Sequence, residues 1–177
     1  METLSVRVIG AGLAGSEAAL QLASFGFKVE LYEMRPEKQT PAHKGGNLAQ
    51  LVCSNSFKGL SLTSAHGLLK NELKMLGSFL LQIAEKTSVP AGESLTVNRD
   101  LFSEEVEKLI LSTPNITLHR EEVQSLEGNL PTIVAAGPLA SDTLADDIFK
   151  RLGSERLHFF DAIAPVVETD RIDFDYA

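Results

Sequence analysis

The first 33 residues change twice between two hydrophobic periodicities. A short apolar run at residues 6–9 ends at a glycine, and small apolar residues then recur at helical spacing as far as Gly26. From residue 27 to residue 33 apolar and polar positions alternate, which is typical of a second strand. The pattern predicts a strand, a helix and a second strand that is parallel to the first.

No sustained period follows until residue 64. Residues 35–64 carry prolines, glycines and polar residues, interrupted only by the short apolar run 48–52. A loop of about 30 residues is unusual inside a compact domain and is often functional. We therefore expect this segment to contribute to a site.

Helical spacing returns after Ser64 and predicts two helical stretches. The first ends before Pro90; the second begins after Asn98 or Asp100, with Asp100 as a candidate N-cap, and ends before Pro114. The apolar stripe of the first stretch consists of Leu69, Leu73, Leu76, Leu80 and Ile83. The inward positions of the second are Phe102, Val106, Leu109 and Ile110.

The last third alternates strands with one more helix. Residues 116–118 and 132–135 are predicted strands, Ser141 is the predicted cap of a helix that ends at Gly153, and residues 157–167 are a further predicted strand. The acidic clusters are assigned to exposed helix faces without a chemical role: Glu104, Glu105, Glu107, Asp146 and Asp147. The elements together predict an α/β fold with a parallel sheet flanked by helices.

Composition narrows the class of protein. The chain has 177 residues, 44% of them hydrophobic, enough for one compact core or for a piece of a larger architecture. The net charge of -8 argues against broad nonspecific binding of nucleic acid, although it leaves room for a local basic face. A single cysteine, Cys53, excludes an internal disulfide and a cysteine-based metal cluster. We expect a cytoplasmic protein without a signal peptide, a membrane span or a metal site.

Residues 10–15 match the pattern G-x-G-x-x-G between a predicted strand and a predicted helix. Gly10 permits a tight turn, Gly12 lets the backbone approach a pyrophosphate, and Gly15 allows close packing of helix and strand. Glu33 ends the next strand, where it is expected to accept hydrogen bonds from ribose hydroxyls and to repel a 2′-phosphate. FAD or NAD is therefore favoured over NADP; the alternative is a glycine-rich turn without a ligand.

A second apolar strand runs into glycine at residues 133–138. Flavoproteins commonly return to their cofactor through such a turn, which favours FAD, although an ordinary core strand explains the pattern as well.

In the long loop, residues 51–57 (LVCSNSF) surround Cys53, which is either a small buried hydrophobe or a reactive thiol. His43 is either a site residue or a solvated loop histidine, and Arg99 either a solvated charge or a partner for an anion.

Five segments in order closely resemble the TrmFO family, the folate- and FAD-dependent tRNA (uracil-5-)-methyltransferases related to GidA flavoproteins. They are GAGLAGSE at residues 10–17, EMRP at 33–36, TPAH at 40–43, LVCSNSF at 51–57 and DAIAP at 161–165. The resemblance implies a Rossmann-like FAD domain of the glutathione-reductase type. It also implies formation of 5-methyluridine in the T loop of tRNA, with carbon from methylenetetrahydrofolate and electrons from reduced FAD and NADH or NADPH.

The resemblance also assigns site residues. Cys53 is the expected catalytic residue, acting as nucleophile, in a flavin adduct or in protection of the cofactor. The expected FAD-binding residues are Gly10, Ala11, Gly12, Leu13, Ala14, Gly15, Glu33, Met34, Arg35, Asn55, Ser56, Val123, Ala136 and Gly137.

Family members are more than twice as long, so the chain resembles their N-terminal portion. We expect residues 1–160 to form part of the FAD-binding domain and residues 161–177 to begin the connection to an insertion domain. This fragment is expected to be inactive alone, and no oligomeric state is predicted. The alternatives are a GidA-like or other FAD-dependent oxidoreductase, a relative that acts on ribosomal RNA, and a non-catalytic dinucleotide-binding module.

Overall fold

The computed structural model describes residues 4–153. The strands are β1 (Ser5–Ile9), β2 (Lys28–Tyr32), β3 (Ser56–Gly59), β4 (Ser88–Val89), β5 (Ser94–Val97), β6 (Ile116–His119) and β7 (Thr132–Val134). The α-helices are α1 (Leu13–Ser24), α2 (Ala65–Met75), α3 (Phe79–Lys86), α4 (Arg99–Ser112) and α5 (Asp142–Leu152). A short 3-10 turn, Gly137–Leu139, precedes α5.

Within residues 4–153, four parallel strands form the main sheet in the order β6-β2-β1-β7. Val8 of β1 lies opposite Leu31 of β2 on one side and Ile133 of β7 on the other. The chain first builds outward from β1 to β2 and β6, and then returns to the other side of β1 with β7. The sequence prediction of a parallel α/β sheet is confirmed, and the order reverses between β1 and β7, where such sheets bind ligands.

The core lies between the parallel sheet and helices α1 and α4. Val8, Val29 and Leu31 are fully buried in the sheet, and Leu20 of α1 packs in the same cluster. The predicted inward positions Phe102, Val106 and Ile110 of α4 are also fully buried, whereas Leu109 is half-buried. Burial of these apolar side chains fixes α1 and α4 against the strands that carry the site.

The helical stretch after Ser64 is two helices, not one. Gly77 takes a left-handed conformation at φ 79° and Ser78 caps α3 by accepting a hydrogen bond from Leu81 N, so the helix cannot continue through residue 77. The predicted single apolar stripe is therefore wrong. Leu69 and Leu76 are exposed, while Leu80 is buried.

The side chain of Glu17, on α1, caps the N-terminus of α3. Glu17 accepts hydrogen bonds from the backbone N–H groups of Phe79 (3.1 Å) and Leu80 (2.9 Å), and from the Ser78 hydroxyl (2.9 Å). These contacts tie α1 to the chain segment that also forms the antiparallel sheet β3-β5-β4.

Two predicted helix caps have different outcomes. Asn98, not Asp100, caps α4 by accepting from Leu101 N at 3.2 Å; Asp100 lies in the first turn, where a negative charge favours the positive end of the helix dipole. Ser141 caps α5 and Gly153 ends it in a left-handed conformation, as predicted. The predicted strand at residues 157–167 and the predicted boundary at residue 160 lie outside the described residues.

None of the helices described has both the length and the apolar character that crossing a membrane requires.

Candidate dinucleotide-binding site

The turn after β1 requires glycine at two positions for steric reasons. Gly10 has φ 94°, and a Cβ atom there would lie 2.6 Å from Ala136 Cα. A Cβ atom at Gly15 would lie 1.7 Å from the carbonyl oxygen of Gly10. Any side chain at either position would push apart β1, α1 and the segment after β7.

Gly12 differs from these two glycines, because it faces open space. A Cβ atom at Gly12 would meet no other atom within 4 Å. As the N-cap of α1, Gly12 supplies no side-chain hydrogen bond, and the first turn carries no acidic residue. The N–H groups of this turn have no intrahelical acceptor and lie at the positive end of the helix dipole, which favours an anionic group.

A cleft of about 370 Å³ opens in front of this helix N-terminus, at the carboxyl ends of β1 and β7. Its volume lies within the range of small-molecule sites. Its walls are the glycine turn, the long loop after β2, residues 121–123 and residues 135–141. The sequence-predicted residues that line it are Gly10, Gly12, Leu13, Ala14, Glu33, Met34, Arg35, Cys53, Val123, Ala136 and Gly137.

Glu33 joins the glycine turn to the long loop. Its carboxylate accepts from the backbone N–H of Ala11 (3.1 Å) and from the backbone N–H (3.1 Å) and Nε (2.8 Å) of Arg35, and both side chains are buried. Burial alone would raise the pKa of Glu33, but the hydrogen bonds and charge of Arg35 together with the Ala11 amide lower it below its ordinary value. The carboxylate is therefore charged at neutral pH, and its predicted contact with a ribose stays a prediction.

The long loop forms one wall of the cleft, which we call the loop wall and define as residues 34–53. Near its far end the exposed thiol of Cys53 lies in the cleft lining together with His43. His43 Nδ1 and the Thr40 hydroxyl are 2.6 Å apart. Burial and the nearby positive charge of Arg35 lower the pKa of His43, which favours a neutral imidazole at pH 7. Because the Cys53 thiol is exposed, the alternative of a buried hydrophobe at this position is wrong, while its reactivity stays a prediction.

Four predicted site residues do not line the cleft. Ala11 and Gly15 are buried behind the glycine turn, where they maintain its shape. Asn55 donates from Nδ2 to Val97 O (3.2 Å), and the Ser56 hydroxyl lies 2.6 Å from the Ser94 hydroxyl. These two side chains hold β3 against β5, and their binding to a cofactor stays a prediction.

Sequence reasoning missed the residues that hold the loop wall. Arg120 pairs with Glu107 across 2.6 Å and also donates to backbone carbonyls of the loop. The prediction that Glu107 and Asp147 lie on exposed helix faces is wrong, because both are half-buried and bonded. Glu107 pairs with Arg120, and Asp147 accepts from Leu126 N at 2.7 Å. One sequence feature could have indicated this support: Ser103 is a polar residue on the otherwise apolar, buried face of α4. Its hydroxyl donates to Leu48 O of the loop.

The reversal of strand order beside a tight glycine turn, with an uncapped helix facing the cleft, defines a dinucleotide-binding α/β domain. Comparison with known proteins narrows this class. The family model described as Glucose inhibited division protein A (GidA) matches residues 5–177, and the chain belongs to this family.

Curated relatives share about half of their aligned residues with the chain. The protein named methylenetetrahydrofolate–tRNA-(uracil-5-)-methyltransferase TrmFO from Lactobacillus delbrueckii subsp. bulgaricus is 52% identical over 98% of this chain and 39% of its own length. The protein of the same name from Aquifex aeolicus is 54% identical over 96% of this chain and 38% of its own length. The chain thus spans about two fifths of the length of these relatives.

A solved structure agrees on the fold. GidA from Aquifex aeolicus superposes with a TM-score of 0.65 at 18% identity, covering 85% of this chain and 31% of its own. At that identity the likeness concerns the fold alone.

Proposed function

We propose that the chain is the FAD-binding N-terminal region of a methylenetetrahydrofolate–tRNA (uracil-5-)-methyltransferase. Identity of 52–54% over nearly the whole chain to relatives of that name supports the reaction. One structural observation carries the cofactor assignment: the open space at Gly12, where the uncapped N-terminus of α1 meets the cleft.

The residues around this space fit a dinucleotide. The N–H groups of Leu13 and Ala14 are in place to bind the pyrophosphate, because they belong to the first turn of α1. Glu33, Glu121 and Glu122 line the same cleft. Their negative charge disfavours the additional 2′-phosphate of NADP, so FAD or NAD fits this site better than NADP; the family of the chain favours FAD.

Cys53 and His43 extend the same site along the loop wall. Bound FAD would supply electrons for reduction of the carbon taken from methylenetetrahydrofolate, with NADH or NADPH as the reductant. We assign the catalytic role to Cys53, because its exposed thiol belongs to the lining of the cleft. The neutral His43 ring lines the same cleft and is able to accept a proton there.

Flavin titration of wild type and Gly12→Ala tests the cofactor assignment. We expect wild type to quench flavin fluorescence. The variant should fold normally, since the new methyl group meets no protein atom, but bind FAD at least about tenfold more weakly, because the methyl group takes the place of the pyrophosphate. Equal affinity in both proteins, with wild-type circular dichroism, would contradict the assignment.

Transfer of labelled carbon tests the reaction. A full-length protein carrying this region should move label from methylenetetrahydrofolate into uridine of the tRNA T loop, and Cys53→Ala should abolish the transfer. NAD(P)H oxidation that proceeds without tRNA dependence and without label transfer would favour a GidA-like oxidoreductase. Label in ribosomal RNA instead of tRNA would identify an rRNA-directed relative.

A further inference from the structure

We propose that Arg120 and Glu107 are positioning residues that hold the loop wall at the distance from the rest of the cleft that FAD requires. The inference rests on the proposed function, because it assigns these two residues to the same site. Neither residue lines the dinucleotide cleft.

The loop wall needs an external support. Residues 34–55 contain no helix or strand, so no backbone ladder fixes their path between β2 and β3. Yet this segment places both His43 and Cys53 in the cleft. One backbone hydrogen bond, from Ala49 N to Ala11 O (2.9 Å), joins the segment to the glycine turn, and side chains outside the loop supply further support.

Arg120 contacts the loop at two separated points. Its Nη1 donates to the carbonyl oxygens of Arg35 (2.9 Å) and Gly46, while its Nη2 donates to Glu107 Oε1 at 2.6 Å. The planar guanidinium thus joins the start and the middle of the loop to α4.

Glu107 contacts a third point. Its Oε2 accepts from Leu48 N at 3.0 Å, and the Ser103 hydroxyl one turn earlier donates to Leu48 O. Both polar backbone groups of Leu48 are thereby bound to α4, and the Leu48 side chain is fully buried. Leu48 precedes Cys53 by only five residues, so the contact limits where the thiol can lie.

The position of Arg120 in the chain explains why one residue affects two walls. It directly precedes residues 121–123, which also line the cleft. A shift of Arg120 therefore changes the distance between the two walls, and with it the space available to a ligand.

We call the contacts of Arg120 and Glu107 with the loop wall the clamp. The chemistry of the two side chains suggests conservative variants that break these contacts. Lysine keeps the charge of Arg120 but carries its donors on one atom, so it cannot span three acceptors in a plane. Glutamine keeps the shape of Glu107 but has one acceptor oxygen, so it must release either Arg120 or Leu48. Glu104→Gln is the matched control, since Glu104 is exposed on the same helix.

Amide hydrogen exchange of residues 44–53, measured by mass spectrometry without FAD, tests the clamp. We expect exchange at least about tenfold faster in Arg120→Lys and Glu107→Gln than in wild type or Glu104→Gln, with β1 and α1 unchanged. FAD should bind the two clamp variants about three- to tenfold more weakly, and saturating FAD should restore slow exchange, because binding selects the ordered loop.

Unchanged loop exchange in both clamp variants would overturn the proposal. So would faster exchange throughout the chain, which would indicate general destabilisation, or wild-type FAD affinity despite a loosened loop. If Arg120→Lys fails to fold, Glu107→Gln alone decides. A wild-type protein that does not bind FAD would contradict the proposed function instead. In that case the exchange rates measured without FAD would still test whether Arg120 and Glu107 hold the loop.

Discussion

Two walls of the cleft, the glycine turn and the loop wall, are built by different physical means. The glycine turn is fixed by steric contact: at Gly10 and Gly15 no room exists for a single additional carbon atom. The loop wall is held by hydrogen bonds that Arg120 donates and Glu107 accepts, and both residues lie more than 50 residues further along the chain. A wall held by contact resists displacement of any kind, whereas a wall held by a few polar contacts is able to open when those contacts are lost.

The largest loss of stability is expected for Gly15→Ala, in the glycine turn. The methyl group would overlap the Gly10 carbonyl oxygen, which is backbone and cannot move away alone. We expect the free energy of unfolding to fall by more than about 3 kcal/mol, beyond the usual cost of overpacking. Urea unfolding followed by circular dichroism measures this, and a loss below about 1 kcal/mol would show that the turn is less rigid than its contacts indicate.

An intermediate effect is expected at Glu33, where the two walls meet. Glu33→Gln leaves the buried Arg35 without its ion pair, which should cost about 3 kcal/mol or somewhat less at pH 7. Because the folded-state pKa of Glu33 lies below its ordinary value of about 4.3, the charged form stabilises the fold above that pH, and the stabilisation is lost as the pH falls through the folded-state pKa.

The unfolding free energies of wild type and Glu33→Gln, measured between pH 7 and pH 3, check this prediction. Their difference should be largest at neutral pH and shrink below about pH 4.3. A difference that is constant over the whole range would mean that the charge of Glu33 is not what stabilises the junction.

The smallest effect is expected for Lys38→Ala. Lys38 bridges the loop wall to Glu122 at 2.7 Å, but its side chain is 47% exposed. We expect unfolding free energy to change by less than about 1 kcal/mol, and the change to shrink further at high salt. Urea unfolding at two salt concentrations measures it; a larger loss would mean that this outer bridge, and not only the half-buried pair of Arg120 and Glu107, holds the loop.

The same contrast explains what the sequence could predict. Glycine at residues 10, 12 and 15 is a local pattern, and its strand and helix neighbours are visible in the same 33 residues, so the turn and the parallel sheet were predictable. The helix break at Gly77 was missed because periodic leucines on both sides of it, Leu73 and Leu80, continue the helical spacing.

The loop wall was predicted to be functional, but not how it is supported. Glu107 looked like one of several surface acids, since sequence spacing does not show that Arg120 approaches it from beyond the end of α4. Likewise, the polar side chains of Asn55 and Ser56, together with the resemblance, predict contact with a cofactor, whereas in the structure these side chains bond to the neighbouring strand β5. The local sequence pattern does not show which polar residues pair when they lie far apart along the chain.

The carboxylate of Glu17 limits how far this domain can be treated as a set of interchangeable modules. The segment between β2 and α4 resembles an inserted cassette, yet the glycine-motif helix caps the first turn of α3 within it. Excising residues 56–97 to obtain a minimal dinucleotide-binding scaffold would strip Glu17 of three partners on the outer side of α1. A designer who wishes to shorten the domain must therefore replace Glu17 in the same step.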